Sequence, residues 1–505
     1  MRNFQVRLSE ILFQIKSQIK TDFKIIRHLD LLDQITIADI AIDSRLAKKH
    51  SIFFALQGKT QDGAKFINDA IKNGAAVIVT ANFAEENEAA ALIIQTADPF
   101  TFLVECLKIF YSPLPSNIYA ITGTNGKTST AEFTRQILEF LGKKSASIGT
   151  LGLITNANCD ALQSSSLTTP DIVSLYKNMA ILKKFAVDDV AIEVSSIGLE
   201  QGRIAGLEID VGAFTNFTQD HLDYHESMEK YFSCKMILFE RVLESGSFAV
   251  INSDIPEAEK IKKICQNQHH KILEYGFKAK DLRLIKIEQH DLGQKVFFEF
   301  RQKNYQFDLE ISGDFQAYNA LCALGNILAK YNLSEDELEN LLAKFSNLNP
   351  AAGRMQRVAI LKNKAQIFID FAHSPDALIN VSQLARKITK SRVLVLFGCG
   401  GNRDAKKRPI MGKIACDLAD FVIVTDDNPR NEMPEAIRAE IMQACDQSKT
   451  VEISNRKAAI EKAITMLQDG DVLILAGKGH EKYQIIGETK FDFDEEKIVK
   501  NAIIQ

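Results

Sequence analysis

Residues 117–141 constrain the fold more than any other stretch. An apolar run, Asn117–Thr122, ends in Gly123-Thr124-Asn125-Gly126, and Lys127-Thr128 then opens a helical pattern reaching Leu141. A buried strand that turns through glycines directly into a helix belongs to a parallel α/β sheet, whose helices cross back over the sheet face. The same turn aims the N–H groups of the helix start, and the positive end of its dipole, at one point, which suits an anion. Lys127 would reach the β- and γ-phosphates of a nucleotide, and the Thr128 hydroxyl would bind Mg²⁺. The common phosphate loop has glycine where this chain has Ile121, so the spacing here is a tighter G-x-x-G-K-T.

The α/β rhythm continues on both sides. Residues 1–30 read as an amphipathic helical lead-in. Ser51–Leu56 and Ala75–Val79 read as strands with a helix from about Ala64 to Asn73 between them. Tyr111-Ser112-Pro113-Leu114-Pro115-Ser116 is a linker by its prolines. Val187–Val194 and Val211–Thr215 are further buried strands, and a second seam lies at Asn347–Gly353. Beyond it, Gln366–Asp370, Arg392–Phe397, Phe421–Thr425 and Asp471–Leu475 read as parallel strands between helices. A chain of 505 residues is too long for one core. Three domains are expected, at 1–112, 113–349 and 350–505.

Composition narrows the partners. A net charge of −4 gives no electrostatic reason to expect nucleic acid or an anionic membrane. No C-x-x-C pair occurs among the eight cysteines, which argues against zinc and disulfide frameworks and for a reducing cytoplasm. There is no signal-peptide core and no apolar run of about 20 residues, so neither export nor membrane insertion is expected.

Three more segments carry chemistry. Glu193 closes the apolar run Val190-Ala191-Ile192, at the strand edge where α/β sheets bind ligands. A buried carboxylate needs a partner or a metal, so Glu193 is a candidate Mg²⁺ ligand. His221 and His225 stand four apart as in a zinc-protease helix, but Leu222 occupies the position of the protease glutamate. The protease reading fails, and His225 reads as a solvated surface residue. Lys235 lies among apolar residues, where a lysine either snorkels outward or carries a lowered pKa. In the second case it could add CO₂ as a carbamate.

In chain order, Asp43-Ser44-Arg45, the Gly123–Thr128 loop, Thr168-Thr169-Pro170, Glu193-Val194-Ser195-Ser196, Asp220–His225, Lys235, Gly353-Arg354-Met355 and Asp370–Asp376 resemble the Mur ligase family over nearly the whole chain. Asp427-Asn428-Pro429-Arg430 and Gly477-Lys478-Gly479-His480-Glu481 resemble the branch that adds diaminopimelate. The resemblance implies an α/β fold of three domains, with a central P-loop-like ATPase domain and a C-terminal Rossmann-like domain. The first domain would bind the UDP part of the substrate, the second ATP, and the third an amino acid.

The resemblance also implies residue roles. Lys127, Glu193, His221 and Lys235 would be catalytic. Gly123, Thr124, Asn125, Gly126, Lys127, Thr128 and Ser129 would hold ATP, with Asn319 and His373 reaching it from the third-domain side. Ile42, Ser44, Lys59, Thr60, Gln61, Thr168, Thr169, Ser195, Gln201 and Arg203 would hold UDP-MurNAc-L-Ala-D-Glu. Thr128, Glu193, His221 and an N6-carboxylated Lys235 would bind Mg²⁺. Arg403, Asp427, Asn428, Pro429, Arg430, Gly477 and Glu481 would hold meso-diaminopimelate. Arg430 can grip its second carboxylate, which lysine lacks, while Glu481 meets the distal ammonium. A lysine-adding ligase, a folylpolyglutamate synthase and a degenerate regulatory module are the alternatives. Retention of Lys127, Glu193, His221 and Lys235 argues against the last. The expected enzyme is a cytoplasmic monomer. Four positions depart from the family pattern: Ile197 replaces a usual His, Gln356 a Glu, Phe371 a Tyr and Ser374 a Thr.

Overall fold

The computed structural model describes residues 4–18, 22–58, 61–83, 91–159, 167–290 and 293–504. The backbone is organised around three large sheets.

The first sheet orders its strands Phe23–Arg27, Leu92–Thr96, Ala75–Thr80, Ser51–Ala55 and Asp39–Ala41. All pairings are parallel except that of Phe23–Arg27, which runs against Leu92–Thr96. The lead-in is therefore only partly helical. Its helix, Leu8–Gln18, buries Leu8, Ile11, Leu12 and Ile15, one stripe at helical spacing. Each such side chain contributes about 1.5–3 kcal/mol of burial. The next described element, Phe23–Arg27, is the edge strand, whose alternating burial marks one covered face. Helix Pro99–Phe110 begins at an Asp98 cap, whose carboxylate accepts from Thr101 N–H at 3.0 Å, with proline in the first turn.

Among the described residues the central sheet has ten strands, parallel from Ser145–Gly149 across to Leu282–His290 and finished by antiparallel hairpins. Asn117–Thr122 lies in its middle, between Asp189–Glu193 and Val211–Phe214. Ile121, at the position of the missing glycine, is a fully buried strand residue in register with Glu193. One apolar core runs from the first sheet's helices into one face of the central sheet. Contact is close: a Cβ on Gly206 would collide with Val104, and one on Gly202 with the ring of Phe100, at 2.6 Å.

The third sheet orders Gln356–Ile360, Gln366–Asp370, Val472–Ala476, Val393–Phe397, Phe421–Val424 and Thr450–Glu452. Only the Gln356–Ile360 pairing is antiparallel. The seam before it is pinned to the helix of the phosphate loop. Asn349 N–H donates to Gln136 Oε1 at 2.8 Å, and Gln136 Nε2 donates back to Asn349 O at 3.0 Å.

Candidate active site

Parallel strands deliver their following loops to one edge, where α/β sheets place ligands. In the central sheet, the loops after Asn117–Thr122, Ser145–Gly149, Asp189–Glu193 and Val211–Phe214 all leave by that edge. Their contacts build the site.

Gly123 and Gly126 have φ of 142° and 84°, in the region that favours glycine. Neither has room for a side chain: a Cβ would collide with Thr215 Oγ1 at Gly123 and with Asn319 Oδ1 at Gly126. The loop is held from the Thr215–Thr218 side. Thr124 N–H donates to Asn216 O at 2.9 Å, Asn125 N–H to Asn216 Oδ1 at 2.8 Å, and Thr215 Oγ1 to Asn125 O at 2.6 Å. Lys127 folds back over the loop and donates to Thr124 O at 2.7 Å and Gly123 O at 3.0 Å. Thr128 and Ser129 are buried in the first helical turn.

Glu193 is 2% exposed. It accepts from Thr128 Oγ1 at 2.9 Å, Thr150 N–H at 2.8 Å and Thr150 Oγ1 at 3.2 Å. Burial still raises its pKa, while Lys127 pulls the other way. Two of its neighbours lead to the expected dipeptide residues. Thr150 Oγ1 lies 3.2 Å from Thr168 Oγ1, and Thr169 Oγ1 donates to Glu193 O at 3.0 Å. Ser195 N–H donates to Thr169 Oγ1 at 2.9 Å, Arg203 Nη1 to Thr169 O at 2.7 Å, and Arg203 Nη2 to Gln201 Oε1 at 2.7 Å. Thr168, Thr169, Ser195, Gln201 and Arg203 thus form one patch beside Glu193.

Lys235 is buried and does not snorkel. Its amine donates to Gly123 O at 2.6 Å and lies 4.5 Å from the centroid of the Tyr231 ring. Burial, reinforced by the Lys127 charge, holds its pKa well below the usual lysine range. His221 stands at φ 52°, with its ring 6.2 Å from that of Tyr231, and its Nε2 is 3.5 Å from Asp220 Oδ2. The structure thus joins Thr128 and Glu193 directly, and leaves His221 half-exposed at the rim.

Two expectations need correction. His225 is not a solvated surface residue: it is 3% exposed, and its Nε2 lies 2.8 Å from Ser196 Oγ. The short helix Leu222–His225 turns it inward against Tyr231. Asn319 does not come from the third-domain side. It lies on helix Asp314–Lys330, which packs on the phosphate-loop helix, and its Oδ1 sits under Gly126. Only His373 comes from the third sheet. Its Nδ1 lies 2.8 Å from Phe371 O, and Lys407 Nζ donates to its carbonyl at 2.6 Å.

In the first sheet, Ile42 and Ser44 follow Asp39–Ala41, and Gln57 and Gly58 follow Ser51–Ala55. These parallel neighbours bring both loops to one edge. Asp43 caps the Ser44 turn and grips the Arg45 guanidinium through three contacts, and Asn73 Nδ2 donates to Ser44 O at 2.8 Å. Gln61 O accepts from Gly58 N–H at 2.9 Å. Lys59 and Thr60 lie outside the described residues.

The third sheet gathers Gly400–Arg403, Asp427–Arg430 and Gly477–Glu481 at its carboxyl edge. Asn428 Nδ2 donates to Glu481 Oε2 at 2.8 Å, while buried Lys478 donates to Asn428 Oδ1 at 2.9 Å. Burial raises the Glu481 pKa. Arg430, at φ 52°, donates from Nη1 to Gly401 O at 2.8 Å. A Cβ on Gly477 would meet Asp427 Oδ2 at 2.6 Å. Arg403 is exposed.

Several site residues escaped the sequence reading. Thr150, Asn216 and Thr218 carry no signal beyond their place after a strand end, and Lys478 was visible within Gly477–Glu481 without a role. Arg354 was visible within Gly353-Arg354-Met355 but had no role. Its guanidinium lies over Phe371, 5.0 Å from the ring centroid, and its charge acts on Lys127 and Glu193 across the cleft. Gln356 is accommodated: it accepts from Gly353 N–H at 2.9 Å and donates to Glu496 Oε2 at 3.3 Å, where a glutamate would face like charge.

Comparison with known proteins gives three family matches in chain order. Residues 36–111 match the Mur ligase family catalytic domain, 121–327 the Mur ligase middle domain, and 353–479 the Mur ligase glutamate ligase domain. A UDP-N-acetylmuramoyl-L-alanyl-D-glutamate–2,6-diaminopimelate ligase from Rickettsia montanensis is 39% identical over 477 residues, 94% of this chain and 97% of that one. One of the same name from Chelativorans sp. (strain BNC1) is 41% identical over 468 residues, 93% and 95% of the two chains. A solved structure of that name superposes with a TM-score of 0.68 at 30% identity, covering 99% of both chains.

Proposed function

The chain belongs to the Mur ligase family, and from that premise we propose that it joins meso-diaminopimelate to the D-Glu carboxylate of UDP-MurNAc-L-Ala-D-Glu, converting ATP to ADP and phosphate. It is an ATP-dependent amide ligase of peptidoglycan precursor synthesis. The observation that carries the reading is the position of Glu193. Its carboxylate meets the Thr128 hydroxyl of the phosphate loop at 2.9 Å and reaches, through Thr150, the Thr168 patch. One group thus stands between the nucleotide site and the acid to be activated.

A carboxylate resists amine attack because its leaving group would be oxide. Attack of a carboxylate oxygen on the γ-phosphorus, with cleavage of the bond to ADP, makes an acyl phosphate. The amine then adds to the carbonyl carbon and loses a proton, and the C–O bond breaks to release phosphate. The chain's work is to position two anions and offset their repulsion. Loop N–H groups and Lys127 hold the phosphates, Arg354 faces them from the third sheet, and Thr168, Thr169, Ser195 and Arg203 orient the dipeptide. The buried oxygens of Thr128 and Glu193 fit a hard cation, and a carbamate on Lys235 would add a second anionic group, with His221 at the rim. Mg²⁺ bound by these residues would supply charge screening for the anions.

Arg430 and Glu481 support diaminopimelate over lysine. The guanidinium suits the extra carboxylate, and lysine would leave it unpaired beside a cation. Among the described residues no helix is long and apolar enough to cross a membrane, and we place the enzyme in the cytoplasm as a monomer. The test is phosphate release with UDP-MurNAc-L-Ala-D-Glu, ATP and a panel of amino acids. Release that depends on diaminopimelate supports the reading. Equal rates with lysine would refute the amino-acid choice, and release without any amino acid would refute ligation.

A further inference from the structure

Arg408 is outside every role assigned so far, yet its side chain is 1% exposed. A buried guanidinium must be paired, and this one is paired with particular loops. It lies near the start of helix Lys407–Leu418. Its Nη2 donates to Glu432 Oε2 at 2.8 Å and to Gly400 O at 3.3 Å, and its Nη1 donates to Glu440 Oε2 at 2.9 Å. Glu432 follows Arg430, and Gly400 precedes Arg403, so one guanidinium ties both arginine loops.

The tie continues through Glu432, which accepts the Asn402 N–H on its other oxygen. Asn402, at φ 52°, accepts from Asn431 N–H at 3.1 Å on its own side chain. Gly401 N–H donates to Asn428 O at 2.9 Å. The two loops are therefore joined on one side by Arg408 and Glu432, and on the other by the Arg430–Gly401 contact. Arg430 takes its left-handed backbone between these ties, a conformation that must be held by its surroundings.

We propose that the Arg408–Glu432 pair is a positioning device that sets the spacing of Arg403 and Arg430 and so determines selectivity for an amino acid with a second carboxylate. This rests on the amino-acid site described under Proposed function. Neither residue is assigned a contact with the substrate: Glu432 would repel its carboxylate, and Arg408 is buried with both terminal nitrogens engaged. Charge on the pair is thereby converted into geometry at Arg403 and Arg430.

The experiment is steady-state kinetics of the full-length enzyme with each substrate varied in turn. Glu432→Ala is expected to raise the KM for diaminopimelate at least ten-fold, with kcat within about three-fold and the KM values for ATP and the UDP-dipeptide unchanged. Glu432→Gln keeps an acceptor for Asn402 but turns its amide N–H₂ toward the Arg408 guanidinium, so it should raise the diaminopimelate KM by more than three-fold and by less than Glu432→Ala. Glu440→Gln weakens the same guanidinium without touching either loop and should leave the diaminopimelate KM unchanged. Arg430→Ala separates the two readings. If it raises the diaminopimelate KM and Glu432→Ala does not, the positioning role is wrong. If Arg430→Ala itself has no effect, the amino-acid site is misassigned and the inference falls with it. A uniform rise in all three KM values, or an equal effect of Glu440→Gln, would mean that the pair only stabilises the fold.

Discussion

The side-chain amines of Lys127 and Lys235 donate to one acceptor, the carbonyl oxygen of Gly123, at 3.0 and 2.6 Å. Two ammonium ions there would repel each other in a site with little water. Burial and the Lys127 charge push the Lys235 pKa well down, which favours the neutral amine, the form that adds CO₂. Lys235→Ala should lose activity by roughly 100-fold or more, the scale of removing one electrostatic stabiliser. Acetate or formate at high concentration should restore part of it by supplying a carboxylate to the vacated space. Full activity of the alanine variant would contradict the role.

Gly126 tests the phosphate loop. An L-residue at its φ of 84° costs roughly 1–2 kcal/mol, and its Cβ would also collide with Asn319. Gly142 has a similar φ of 76° but nothing within 4 Å. Gly142→Ala should lower Tm slightly and leave the KM for ATP alone. Gly126→Ala should raise that KM at least ten-fold. Equal behaviour of the two variants in an ATP titration would contradict the loop's role.

Arg430 tests the amino-acid site. A hydrogen bond to a charged group is worth about 1.5–3 kcal/mol, so Arg430→Ala should raise the KM for diaminopimelate by roughly ten- to a hundred-fold. The penalty with lysine should be much smaller, because lysine offers no second carboxylate. Competition between the two amino acids, read by product mass, checks this. An unchanged product ratio would contradict it.

Asp370 gives a pH dependence. Burial raises its pKa to about 6 from 3.8, against the pull of Arg354 and the Met355 N–H. The folded protein keeps this proton between those values while the unfolded chain releases it. The stability it contributes is fully present below about pH 4 and is lost as the pH rises through 6. The gap corresponds to roughly 3 kcal/mol. Asp370→Asn has no proton to lose. Its Tm relative to wild type should therefore increase from pH 4 to about 6.5 and then level off. A difference independent of pH would contradict the burial argument.

Much of this was legible in the sequence where the signal is local. Asn117–Thr122 and Gln366–Asp370 begin and end where the apolar runs do, because a parallel strand buried on both faces needs unbroken apolar residues. The loop glycines and Glu193 follow from the same strand ends. Phe23–Arg27 was not legible. It is short, carries charges at Lys24 and Arg27, and is made a strand by pairing with the distant Leu92–Thr96. His225 was misread because its burial depends on Ser196 and Tyr231, from other segments. Asn319 was attributed to the wrong side because a helix pattern reveals an apolar face and not the element it meets. Arg408 gave no signal, since the carboxylates that bury it come from later in the chain.

The most direct measurement follows oxygen from the acid to the phosphate. The UDP-dipeptide is prepared with ¹⁸O in both oxygens of its D-Glu acceptor carboxylate and turned over with ATP and diaminopimelate. If the Gly123–Thr128 loop serves acyl-phosphate formation, each phosphate released carries one ¹⁸O atom and the new amide keeps the other. Unlabelled phosphate, with both ¹⁸O atoms still on the dipeptide, would contradict it and leave only nucleotide hydrolysis at the loop.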